Sequence, residues 1–173
     1  MCGIFGYVKK GEDLEFLYKA NKIQRHRGPD GNGISELKVG KWNIGFAHQR
    51  LSIIDLSEAA KQPMKSMNNG NMITYNGEIY NFKELISEQH FSEEFGDTRV
   101  LFEILQRHGI SCLKKLNGMW AFAFLEKDLM QLTLSRDRFG EKPLYYFTDR
   151  NCLYFASELK TLLEILPKKF DID

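Results

Sequence analysis

Cysteine is scarce in this chain of 173 residues. Cys2, Cys112 and Cys152 are widely spread, which excludes a disulfide framework and a zinc site built on paired ligands. The expectation is a reducing compartment, the cytoplasm. Net charge is nearly absent as well: 24 Lys and Arg stand against 23 Asp and Glu, for a balance of +1. A nucleic-acid or other polyanionic partner is therefore not expected. No charged segment leads into a short apolar one, and no apolar run is long enough to cross a bilayer, so neither export nor membrane insertion is indicated. Internal repeats and low-complexity tracts are missing too. What remains is an ordinary globular composition, 43% hydrophobic and 27% charged. At this length one domain can bury about 70% of its unfolded surface without covalent staples.

Periodicity supplies the elements. Leu14, Leu17 and Tyr18 share one helical face, and Phe16, Ala20 and Ile23 form a second apolar line beside it, so a helix is expected over about Asp13–Gln24. The run RHRGPDGNG breaks it. Trp42–His48 reads as a strand, RLSIIDLSEAAKQP as irregular, and Met72–Tyr75 as a short strand. Asp97–Arg107 opens on a candidate N-cap, Asp97, and aligns Val100, Leu101, Ile104 and Leu105 as a helix. MWAFAFLE is apolar at successive positions, the mark of a strand covered on both faces. LMQLTLSR alternates, with Met130, Leu132 and Leu134 on one face; LYYF and LYFA add two strands before a helix at about Glu158–Leu166. Strands outnumber helices, and short connections favour antiparallel pairing. A doubly covered strand in such a protein implies an α+β fold, a four-layer αββα sandwich of two antiparallel sheets. The tail PKKFDID completes no element and reads as the start of a linker, leaving residues 1–166 as the domain.

Cys2 poses the chemical question. With Ile4, Phe5, Tyr7 and Val8 after it, it fits a buried thiol at the mouth of an inner strand. If Met1 is trimmed, however, the residue carries a thiol and a free α-amine on one Cα. These titrate near about 8.5 and roughly 7.7–8.0, a pair matched for proton exchange at neutral pH. Elsewhere, Asn76-Gly77 between apolar segments is by itself a hairpin signal, although EIYNFKELISEQ continues helically after it. Arg50 by itself reads first as an ordinary surface arginine, although it can also act as a bidentate carboxylate clamp, and Asp97 reads as a helix cap or an acceptor for an ammonium. His26 and His48 are read as polar loop histidines near a pocket rather than as partners of the thiol.

Taken in order, CGIFGY, RHRGPDG, HQRLSIID, YNGEIYNF and GDTRVLFEIL resemble the glutaminase domain of class II glutamine amidotransferases. The later RDRFGEKPLYY and ASELKTLL resemble its asparagine synthetase branch. The resemblance spans essentially the whole chain and implies the N-terminal-nucleophile hydrolase fold and hydrolysis of L-glutamine to glutamate and ammonia through a Cys2 thioester. It implies an oxyanion hole at Asn76 and Gly77. It also implies glutamine binding by Arg50, Leu51, Ser52, Ile53 and Ile54, by Asn76, Gly77 and Glu78, and by Asp97. Arg27, Gly28, Pro29 and Asp30 would shape a covering loop. The chain departs from the family at Gly96, where a small hydroxyl residue is common, and at Arg99, where an acidic one is.

No metal is expected, and no phosphate-binding Gly-rich motif is present, so ATP and Mg chemistry is expected only on a synthetase domain outside this chain. That domain is the expected partner, with aspartate or another carboxylate as ammonia acceptor. Homo-oligomerisation is left open. Two rival readings remain: another Cys-initiated amidase, and a non-catalytic domain that binds glutamine for regulation.

Overall fold

The computed structural model describes residues 1–11, 14–52 and 60–166. Nine strands and four helices follow one another as β1 (Gly3–Lys10), α1 (Leu14–Ile23), β2 (Gly31–Val39), β3 (Trp42–Arg50), β4 (Met64–Lys65), β5 (Met72–Ile79), α2 (Phe82–Gln89), α3 (Asp97–His108), β6 (Gly118–Glu126), β7 (Gln131–Arg136), β8 (Tyr145–Thr148), β9 (Cys152–Ala156) and α4 (Leu159–Ile165). Two antiparallel sheets result, ordered β2-β3-β1-β9-β8 and β4-β5-β6-β7. Their facing sides bury Ile4, Ile44, Phe46, Met72, Ala121, Ala123, Leu125 and Phe155 as one core. A second core joins the first sheet, through Phe5, Tyr7 and Tyr154, to Leu17 and Ala20 of α1 and Leu162 and Ile165 of α4. The third joins the second sheet, through Tyr75, Phe122 and Phe124, to Leu85 of α2 and Val100, Leu101, Ile104 and Leu105 of α3. Helix, sheet, sheet and helix are therefore stacked as the alternation of side chains along β1 and β6 requires.

Four elements differ from the sequence reading. The buried face of α1 carries Leu17, Ala20 and Asn21 with Phe16 and Ile23 beside them, whereas Leu14 and Tyr18 are exposed. The face was chosen by the sheet it meets: Gln49 Nε2 donates to Asn21 O across that contact at 2.7 Å. Strand β2 was not expected, because GNGISELKV neither alternates cleanly nor is apolar; its register with β3, from Gly31↔Arg50 to Val39↔Trp42, is imposed by the neighbour. Met130 lies in the β6–β7 turn at φ 51° rather than in a strand, leaving Leu132 and Leu134 against the inter-sheet core. Finally, β5 does not stop at Tyr75. Asn76, Gly77 and Glu78 continue it opposite Ala121, Trp120 and Met119, so Asn-Gly is not a hairpin turn here.

The Asp13 end of the expected first helix, and the tail after residue 166, lie outside the described residues. No helix among the described residues is long and apolar enough to cross a membrane.

Candidate active site

Cys2 immediately precedes the central strand of the first sheet, and the pairing Gly3↔Gln49 brings it beside the end of β3. Leu51 N–H donates to its Sγ at 3.4 Å, and the thiol reaches back to Leu51 O at 3.7 Å. Arg27 Nε fixes Cys2 O at 2.9 Å while its Nη1 bonds Glu158 at 3.1 Å. The loop carrying Arg27 can pass this close because Gly28 has no side chain. A Cβ there would meet Gln49 C, Arg50 C and Arg50 N at 2.5–2.6 Å. Asp30 Oδ2 then accepts Ser52 N–H at 2.8 Å. These residues therefore hold the strand ends around Cys2.

Across the cleft stands β5. Both main-chain groups of Trp120 are engaged on its β7 side: Trp120 N donates to Asp137 Oδ2 at 3.2 Å, and Asp137 N donates to Trp120 O at 2.8 Å. Gly77, opposite Trp120, is thus a non-hydrogen-bonded partner, and its own N–H points away from β6. Its neighbours of the same parity confirm that direction, since Tyr75 N is taken by Gln62 Oε1 at 2.6 Å and Ile79 N by Asp97 Oδ2 at 3.2 Å. A side chain at Gly77 would meet Met119 O at 2.3 Å and Tyr75 Cε2 at 2.6 Å, so only glycine lets the backbone lie here. Asn76 is 2% exposed, and its Nδ2 is buried with no hydrogen-bond partner among the described residues.

Asp97 closes one side. The N-cap of α3 is Gly96, with no side-chain cap bond, and Asp97 is the first helical residue. The expected capping role is thereby corrected. Its carboxylate is tied instead to Tyr75 Oη at 2.9 Å, Ile79 N at 3.2 Å and Thr98 N at 2.8 Å. Burial raises its pKa above the ordinary carboxylate value, and these three donors offset part of that rise. Burial likewise raises the Cys2 thiol, against the Leu51 N–H, the Met1 ammonium and the guanidiniums of Arg50 and Arg27, which pull it down. With Met1 in place the thiol is therefore protonated at neutral pH.

Cys2, Arg50, Leu51, Ser52, Asn76, Gly77, Glu78 and Asp97 all line one cleft of about 120 Å³. Ile53 and Ile54 lie outside the described residues. Sequence reasoning missed Gln62, Tyr75, Thr98, Met119 and Lys142, which line it too. The motif RDRFGEKPLYY held one available signal, since its Asp137 accepts N–H groups from Trp120, Phe139, Glu141 and Lys142 and so fixes one wall. His48 also lines the cleft, but it is buried, donates Nε2–H to Tyr75 O at 3.2 Å and has its pKa lowered to about 4 by burial. His26 is exposed and bonds Glu158, and it is not among the residues that line the cleft. Among the described residues no group of three or more His, Cys, Asp or Glu is placed to hold a metal ion.

A thiol, a buried donor amide, an arginine and a carboxylate facing one cleft suit capture of a small amide. Comparison with known proteins fixes the family, because a glutamine amidotransferase domain model matches residues 1–173. The chain belongs to that family. Among the relatives of this chain, a Methanocaldococcus jannaschii protein of the glutamine-hydrolysing asparagine synthetase class is 40% identical over all of this chain and 37% of its own length. Asparagine synthetase 1 of Bacillus subtilis is 37% identical over the whole of this chain and 28% of its own. Asparagine synthetase B of Escherichia coli is 35% identical, over 95% of this chain and 30% of its own. The chain thus spans about a third of the curated relatives it matches. In fold the chain is similar to glutamine phosphoribosylpyrophosphate amidotransferase of B. subtilis, solved with ADP and GMP. The TM-score is 0.76 at 22% identity, over 95% of this chain and 43% of the other. A second structure, an allosteric regulatory enzyme of purine biosynthesis, superposes at TM-score 0.79 and 22% identity over the same shares. Both have the N-terminal-nucleophile hydrolase fold expected from the sequence.

Proposed function

We propose that this domain hydrolyses L-glutamine to glutamate and ammonia through a thioester on Cys2. The observation that carries the reading is the buried, unpartnered Nδ2 of Asn76 in the cleft that holds the Cys2 thiol. A donor kept dry and unused in the resting protein is what a developing oxyanion requires. Glutamine fits the rest. Arg50, with the backbone from Leu51 onward through Ser52, Ile53 and Ile54, takes the α-carboxylate; Asp97 and Glu78 take the α-ammonium, whose charge favours the ionised form of Asp97.

Once Met1 is removed, the α-amine of Cys2 accepts the thiol proton and the sulfur attacks the amide carbon. Negative charge collects on the amide oxygen, toward Asn76 Nδ2 and Gly77 N–H. The C–N bond then breaks as the amine returns the proton to the leaving nitrogen, releasing ammonia and leaving the thioester. Water, deprotonated by the same amine, adds to the thioester carbon and releases glutamate and the thiol. His48 is neutral at working pH, and its role here is to hold Tyr75 rather than to move protons.

The relatives' names favour an asparagine-forming system; we propose in addition that aspartate is the ammonia acceptor, that ATP and Mg are used by a second domain, and that the system is cytoplasmic. The test is intact mass after exposure to a glutamine-mimicking diazo ketone, using protein that starts at Cys2. One adduct on Cys2, none on Cys2→Ala, and glutamine preferred over other amides support the reading. No adduct would instead favour a binding-only domain, and equal turnover of unrelated amides would favour a general amidase.

A further inference from the structure

The sandwich has a second opening at the end opposite Cys2. Along β1, Val8 stands six residues beyond Cys2, about 20 Å at strand rise. There residues of both sheets, Val8, Val39, Trp42 and Ile44 from one and Leu125 and Leu132 from the other, line an apolar pocket of about 140 Å³. A cavity of about 150 Å³ with such walls stays dry and accepts a benzene-sized guest, so this one holds a single aromatic ring or a short branched alkyl group. Met130, at φ 51° and 62% exposed, completes the rim.

The mouth is cationic. Lys10 and Lys41 stand over the Trp42 ring, with Nζ 5.5 and 5.7 Å from its centroid, and Lys10 Nζ also bonds Asn151 Oδ1 at 3.3 Å. Asp128, on the β6–β7 turn, lines a different groove together with Lys65 and Lys127. A guest with its ring against Trp42 thus lies beside the lining residue over which two ammonium groups stand. We propose that this opening is a binding site for a small anionic amphiphile, one aromatic ring or short alkyl group carrying a carboxylate, separate from the glutamine cleft. The apolar walls select the tail, and Lys10 and Lys41 select the charge.

Phenylacetate, benzyl alcohol and phenethylamine are the probes, matched in ring and different in charge. Each is titrated into the full chain while backbone amide shifts and the Trp42 indole N–H are followed by NMR. The expected result is saturable shifts at Val8, Trp42–Ile44 and Leu125–Leu132, with phenylacetate binding about threefold tighter than the alcohol and tenfold tighter than the amine. Lys10→Gln with Lys41→Gln removes the charge preference but not alcohol binding. Leu132→Phe, or Val39→Leu from the other sheet should the first variant melt early, fills the pocket and abolishes all three. Equal binding irrespective of charge, shifts confined to the Cys2 cleft, or no saturable shift at Trp42 would each overturn the proposal. Because glutamine hydrolysis is not the readout, the outcome is independent of that reading.

Discussion

Replacing Asn76 by alanine separates catalysis from folding. Its Nδ2 is buried and without a partner among the described residues, so the folded protein already bears the cost of a desolvated donor, on the order of 1–3 kcal/mol. Alanine relieves that cost while leaving a small void, and the two effects oppose each other. Stability should therefore change by less than about 1 kcal/mol. In the transition state the same donor faces full negative charge, and losing one oxyanion donor costs about 3 kcal/mol, or roughly a hundredfold or more in kcat. Glutamate release gives kcat and KM, and urea midpoints give stability. We expect kcat to fall about a hundredfold with KM within threefold and the midpoint nearly unmoved. A variant that loses several kcal/mol of stability yet keeps its kcat would refute the reasoning, because Asn76 would then be a strand residue and no more.

Arg50→Lys should raise KM for glutamine by about one to two orders of magnitude with little change in kcat, since a bidentate clamp becomes a point charge; an unchanged KM would move the carboxylate elsewhere. His48 sets an acid limit on stability. Its folded pKa of about 4 lies below the ordinary 6.5, so between these values the unfolded chain binds the extra proton. Its contribution is complete above pH 6.5 and is lost as pH falls toward 4, on the order of 3 kcal/mol in total. Urea midpoints at pH 7 and pH 4.5 should differ less in His48→Gln than in the parent, and an equal difference in the two proteins would contradict the assignment.

The sequence made the layers legible because local pattern and tertiary burial agree there. The apolar run from Met119 to Leu125 announces a strand between two layers, and Trp120 through Leu125 are indeed buried. Val100, Leu101, Ile104 and Leu105 likewise point where their spacing says. The failures share one cause, the dominance of a distant partner over a local signal. Asn76-Gly77 carries turn chemistry, yet eight residues of register with β6 hold it extended. Asp97 has the chemistry of a cap, yet Tyr75 and Ile79 of β5 claim its carboxylate. Gln62 was invisible because its role is to imitate a strand: its Oε1 accepts Tyr75 N–H at 2.6 Å and its Nε2 donates to Tyr75 O at 3.2 Å. Among the candidate site residues, those that the fold brings to the cleft came from motifs with chemical content, whereas the supporting wall at Met119 and Lys142 is set by Asp137 and needs the fold to be seen.

The central claim is that the α-amine of Cys2 is the base. Met1 is half-exposed and lines the cleft, and while it is attached the Cys2 nitrogen is an amide that cannot take a proton at neutral pH. The direct test compares two preparations whose N-termini are established by mass spectrometry, one keeping Met1 and one starting at Cys2. Both should give the same thermal melt to within a few degrees. Only the second should turn over glutamine and take one equivalent of the diazo ketone on Cys2, and treating the first with an aminopeptidase should restore both. Full turnover by protein proven to keep Met1 would contradict the account and leave the proton to another group in the cleft, with His48 the first to examine.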